Sequence, residues 1–142
     1  MPQLNVPARL EQLPFVNEFL SANTPEEFLP SLSTLELVAE ELLVNVFSYA
    51  YPAGTTGKAE ICLRNAFFDV EPMLRFTVMD WGAPFNPFAE APEPDFTQDA
   101  DSRPIGGLGI FLIRSVTTHQ SYVHDEGANI IDVYFSLPEG HQ

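Results

Sequence analysis

The chain of 142 residues is poor in cysteine, in positive charge and in long apolar runs, and each shortage excludes something. Cys62 is its one cysteine, so no internal disulfide can form, and a reducing compartment is the natural setting. Its place in "KAEICLRN", which reads as a strand, makes it a buried structural thiol. Only 6 basic residues stand against 20 acidic ones, for a net charge of -14. Arg9, Lys58, Arg64, Arg75, Arg103 and Arg114 are scattered, whereas nucleic acid and anionic membranes both need a basic face, so neither is an expected partner. An anionic small ligand stays open if backbone dipoles, one or two arginines and a metal ion supply the neutralisation. No stretch approaches membrane-spanning length, and "MPQLNVPARLEQLPF" lacks the basic flank and apolar run of a signal peptide, which points to the cytoplasm.

What the chain has is a hydrophobic content of 45%, enough to build a core, and no repeats or linkers, so residues 1–142 are expected to form one domain. A short edge strand is expected at 4–7, then a helix through "ARLEQLPFVNEFLSA" with Pro14 in its early turns. "TPEEFLPS" reads as a helical turn or loop capped by Thr24. The strongest helical signal runs through "STLELVAEELLVNVFSYAY". Strands follow at "AEICLRNAFFDV" and "MLRFTVMD", joined through Glu71–Pro72. The regularity then stops over residues 82–105, which carry five prolines and several carboxylates; a loop of that length is usually functional. A glycine run, a helix to about Val116, a strand at "SYVH", a Gly127 turn and a strand at "NIIDVYF" complete the chain. The expected fold is α+β, a two-layer sandwich of helices on a mixed, mainly antiparallel sheet.

On the long helix, at about 100° per residue, Leu35, Val38, Ala39, Leu42, Val46 and Ala50 form a core stripe. Glu41 and Asn45 lie beside it at i and i+4 and address one point, while Glu36 and Glu40 project elsewhere. Leu37 and Val44 flank the pair, which implies partial burial. An Asn carbonyl oxygen suits Mg²⁺, which takes few protein oxygens and completes its shell with water and phosphate, and Glu41 suits a base. The same two residues also suit an ordinary solvated helix face. In "FTVMDWGAPFNP", Asp80 at a strand end can accept the amino hydrogens of a base, and Gly82 permits close backbone approach; a plain glycine turn fits equally. Trp81 and Phe85 suit either ring packing or core. In "RPIGGLGIFLIRS", Gly106, Gly107 and Gly109 are a turn or a phosphate cradle that opens a helix, with Arg103 placed to reach phosphate. It is neither a dinucleotide fold nor a P-loop, because no strand precedes it and no Lys-Ser/Thr ends it.

The order of these boxes is more specific than any one of them. Glu41 and Asn45 on a helix, then Asp80, Gly82, Pro84 and Phe85 after a strand, a long loop, and Gly106, Gly107 and Gly109 before a helix resemble the GHKL superfamily of histidine-kinase-like ATPases. More narrowly they resemble its anti-sigma-factor serine/threonine kinases, over about Leu4 to Phe135. The resemblance implies a Bergerat-type ATP-binding fold with ATP and Mg²⁺ as cofactors. Asn45 would then ligate Mg²⁺, Glu41 would be the catalytic base, Asp80 with Gly82 would hold adenine, and Gly106, Gly107, Leu108 and Gly109 with Arg103 would line the phosphates. Residues 86–105 would be the ATP lid. It further implies transfer of the γ-phosphate to a small anti-anti-sigma (STAS-type) protein, with a sigma factor as a further partner and a homodimer as an assembly often found in the family. The chain departs from that pattern at Tyr49, where His is common, and near Thr118, where Asp is common. His119, His124 and His141 lie in no helical acceptor context, and no phospho-acceptor helix pair is present, so self-phosphorylation on His is not expected. A nucleotide-sensing module that docks a partner without transfer is the alternative, and a degenerate scaffold with an acidic lid is a third.

Overall fold

A computed structural model describes residues 2–52, 54–90 and 107–138. The elements, in order, are β1 (Gln3–Pro7), α1 (Leu13–Asn23), α2 (Leu32–Tyr49), β2 (Lys58–Phe68), β3 (Glu71–Asp80), a single turn α3 (Pro87–Glu90), α4 (Gly107–Val116), β4 (His119–Asp125) and β5 (Ala128–Ser136). The strands form one sheet of order β1-β2-β3-β5-β4, and all its pairings among the described residues are antiparallel, so the expected parallel component is not seen there.

Alternation along each strand sorts the sheet into two faces. Ile61 and Leu63, Leu74, Phe76 and Val78, and Ile131, Val133 and Phe135 point one way and are buried with Val16, Leu20, Phe28, Leu35, Leu42 and Ile113 of the helical layer. The core stripe expected on α2 is the one observed, widened by Leu43. The other face carries Cys62, Arg64, Arg75, Thr77 and Asp132. There Arg75 Nε lies 3.8 Å from Asp132 Oδ1, and the Thr77 hydroxyl donates to the same oxygen. Cys62 is buried as expected, and burial together with the Glu60 carboxylate beside it pushes its thiol up from the ordinary range.

Local chemistry explains where elements start and stop, and corrects three expectations. The first helical stretch begins as a 3-10 turn, Leu10–Gln12, and becomes α-helical from Leu13 with Pro14 in its first turn, where the missing N–H has no partner to lose. Thr24 does not cap the next segment: its hydroxyl donates to Leu20 O at 2.6 Å and closes α1, and the 3-10 turn Glu26–Ser31 follows Pro25 with no side-chain cap. The β2–β3 hairpin turns at Asp69–Val70 rather than at Glu71–Pro72, both of which belong to β3. Asp69 takes the left-handed conformation there (φ 56°), which an Asp side chain tolerates better than most. The β4–β5 turn has positive φ at both Glu126 (50°) and Gly127 (82°), the handedness that matches a two-residue hairpin.

Candidate functional site

β3 delivers Asp80 to the core face of the sheet at its C-terminal end, where the side chain is only 3% exposed. A buried carboxylate is costly unless hydrogen-bonded. Oδ1 takes two bonds, from Gly82 N at 2.9 Å and from Asn129 Nδ2 at 2.9 Å. No described residue donates to Oδ2, so the carboxylate is half satisfied by the fold.

Asn129, directly opposite Asp80 in the β3–β5 ladder, organises the loop that follows. Its amide nitrogen also donates to Ala83 O at 3.0 Å, and its oxygen accepts from Phe85 N at 3.3 Å and from the Tyr122 hydroxyl. Tyr122 in turn accepts from Phe85 N at 3.1 Å. From the other side, Tyr51 OH accepts from Trp81 N at 2.9 Å and donates to Lys58 O at 2.6 Å. The Trp81 ring lies under Lys58 Nζ, 4.5 Å from its centroid. Gly82 has a packing reason of its own: a Cβ there would fall 1.9 Å from the Ala50 carbonyl oxygen at the end of α2, so only glycine lets loop and helix meet.

Between α2 and this loop lies a narrow cleft of about 20 Å³ lined by Asn45, Tyr49, Asp80, Phe85, Asn129 and Ile131, among others. Leu42 and Val46 supply apolar wall, so the cleft joins a flat hydrophobic surface to a few convergent polar groups. Asn45 is half-buried, and its amide nitrogen donates back to Glu41 O at 2.9 Å. With the nitrogen engaged, the side-chain oxygen is the end left for a ligand. Glu41 is also half-buried but does not line this cleft. One helical turn along, its carboxylate packs against α4, where a Cβ on Gly109 would come within 2.3 Å of Oε2. That sets a negative charge beside the first turn of α4, where the helix dipole favours it. Gly107 opens α4 and Leu108 follows it; Arg103 and Gly106, with residues 91–105 of the expected lid, lie outside the described residues.

The structure therefore brings Asn45, Asp80 and Phe85 to one cleft, packs Gly82 against Ala50 next to it, and puts Glu41 and Gly109 in contact beside it. Asn129, Tyr122 and Tyr51 are the participants that sequence reasoning missed. Asn129 had a readable signal, since it shares the inward parity of Ile131, Val133 and Phe135, and a polar residue on a core face needs a partner. Among the described residues no helix is long and apolar enough to cross a membrane, and no cluster of three or more His, Cys, Asp or Glu is placed to hold a metal.

No curated protein matches the chain. Similar solved structures include the histidine kinase domain from Erythrobacter litoralis EL346 blue-light activated histidine kinase, at 18% identity over 75% of this chain and 45% of that one, with a TM-score of 0.46. A structure of the Erythrobacter litoralis EL346 blue-light activated histidine kinase matches at 18% identity over 78% of this chain and 32% of the other, TM-score 0.48. Acinetobacter baumannii histidine kinase AdeS matches at 13% identity over 98% of this chain and 70% of that one, TM-score 0.44. The chain thus spans less than half the length of the two Erythrobacter structures. The model of the histidine kinase-like ATPase domain family matches residues 6–135, a span that takes in α2, the Asp80 loop and α4. The chain belongs to the histidine kinase-like ATPase domain family.

Proposed function

We propose that this chain is an ATP-binding protein kinase of the anti-sigma-factor type, moving the γ-phosphate of MgATP to a serine or threonine of a small STAS-type regulatory protein. The observation that carries the nucleotide part is Asp80: a buried carboxylate with one oxygen held by the fold and the other without a donor among the described residues, in a cleft with an apolar wall. Its free oxygen suits the exocyclic amine of adenine, which arrives as a donor and completes the acceptor's hydrogen bonding. Asn45 would hold Mg²⁺ through its side-chain oxygen, and the N-terminus of α4 at Gly107, Leu108 and Gly109, with Gly106 and Arg103, would face the phosphates. Bound MgATP would supply the phosphoryl group, and the metal would offset its charge. Glu41 would take the proton of the acceptor hydroxyl. The segment 86–105 would serve as lid, and its carboxylates fit a solvated outer face.

A second reading is a nucleotide-sensing module that docks a partner and transfers nothing, and the packing of the Glu41 carboxylate on Gly109 favours it. There Glu41 would couple α2 to α4 instead of acting as a base. Saturating MgATP, at about 100 times Kd, is expected to raise the melting temperature by roughly 10 °C, and Asp80→Asn to abolish the rise. A wild-type protein that shows no shift removes both readings. Radiolabelled ATP with STAS-domain proteins of the native cell separates them: Glu41→Ala should retain ATP affinity and lose labelling, and undiminished labelling would refute Glu41 as the base.

A further inference from the structure

The far end of the β2–β3 hairpin carries apolar surface that the fold does not use. Phe67 is 73% exposed, and Val70, at the turn itself, is 88% exposed. A β-branched residue is a poor choice in a two-residue turn, where Gly, Asn or Asp would form it better. Beside them lies a groove of about 480 Å³ lined by Glu27, Asn65, Phe67, Pro72 and Leu137 over the buried Phe28. The adjoining strand edge is also bare: β1 covers β2 only to Cys62 in the ladder, with one further bond from Leu63 N to Pro2 O at 3.2 Å. The backbone of residues 64–68 therefore has no strand on its outer side among the described residues.

Charge limits what can cover this end. Glu27 lines the groove, Glu26 precedes it, and Asp69 and Glu71 bracket Val70. Among the described residues, Arg64 and Arg75 belong to the opposite face of the sheet, where Glu71 also lies, as they are cross-strand partners on the side away from Leu63 and Leu74. A second copy, with 20 acidic residues against 6 basic, would set carboxylates against carboxylates, and an anionic membrane would be repelled in the same way.

We propose that the β2–β3 end is a docking surface for an extended, basic segment of a partner protein, which adds along residues 64–68, seats an apolar side chain against Phe67 and Leu137, and sets Lys or Arg against Glu27 and Asp69. Main-chain pairing supplies affinity and the groove supplies selectivity. β3 is 10 residues long, so this surface lies on the order of 30 Å from Asp80 at the strand's other end and is separate from any acceptor presented to the cleft.

The test is a displayed library of random twelve-residue peptides panned on the full chain without nucleotide. Expected are peptides with two or more Lys or Arg around Leu, Ile, Phe or Trp, binding at least tenfold more weakly to Phe67→Ser and to Val70→Asn, and slowing hydrogen exchange within residues 64–68. Both positions are exposed, so unchanged melting temperatures show that the variants are folded. Peptides without basic residues, binding indifferent to Phe67→Ser, or protection confined elsewhere would overturn the proposal. So would sedimentation of the wild type as a dimer that Phe67→Ser dissociates, or Phe67-dependent binding to phosphatidylserine vesicles.

Discussion

The two ends of β3 are built on opposite rules. At Asp80 a charged group is buried, a loop is tied down by Asn129, Tyr122 and Tyr51, and a glycine is pressed against a helix end. At the hairpin end, Phe67 and Val70 stand in water, and the turn is held by the ladder and by Phe68 against His119 and Tyr134. Each end departs from the ordinary sorting of residues, polar outward and apolar inward, in its own direction. The first departure is stabilised inside the molecule by hydrogen bonds. Nothing among the described residues covers the second, which is the ground for assigning it a partner protein. A buried polar group with a spare acceptor thus points to a small ligand, and an exposed apolar group beside a bare strand edge points to a protein.

The largest effect that would break this comparison is expected at Gly82. Gly82→Ala places a Cβ within 1.9 Å of a backbone carbonyl that cannot swing aside, so the loop or the end of α2 has to move. A loss of about 2–3 kcal/mol in urea denaturation, with the MgATP-induced rise in melting temperature largely gone, is the expected outcome. Asn129→Ala follows, since it orphans Ala83 O and removes one of the two donors to Asp80 Oδ1. About 2 kcal/mol should be lost at an unchanged m-value, whereas Phe67→Ser at the other end should change stability by no more than about 0.5 kcal/mol. Equal losses at the two positions would erase the contrast. The smallest effect belongs to Cys62, midway along β2. Its thiol is raised by burial and by Glu60, so the folded chain keeps that proton to higher pH than the unfolded one. The resulting stabilisation is complete below the ordinary thiol range and is lost as pH rises through it toward the folded value. Melting temperature should therefore fall slightly faster between pH 8 and 10 in the wild type than in Cys62→Ala.

Much of this was readable from residue order. The α2 stripe, the alternation of β2, β3 and β5 and the Gly127 turn are local signals, and local periodicity survives without knowledge of the tertiary fold. The positions of Glu41, Asn45 and Asp80 were legible because spacing on a helix and the end of a strand are also local properties. Gly82 was legible as a residue that allows close approach, but what approaches it in the structure is Ala50, 32 positions earlier, and no window of sequence holds both. The contact of Glu41 with Gly109 and the pairing of Asp80 with Asn129 were hidden for the same reason. The β2–β3 turn was misplaced because Pro72 is a strong turn signal, although a strand tolerates proline near its start. Thr24 was read forward as a cap when its hydroxyl bonds backward, a choice composition alone does not make.

The contact between Gly82 and Ala50 has one more consequence. α2 carries Glu41 and Asn45 along its length and meets the Asp80 loop at its last turn, so a single rigid rod links the cleft to the Glu41–Gly109 contact beside it. Glu41 and Ala50 are nine positions apart, about 13 Å of helix at 1.5 Å per residue. That rod acts as a gauge: it fixes how far the Asp80 loop lies from the Glu41–Gly109 contact, and any force that shifts one end of α2 is felt at the other.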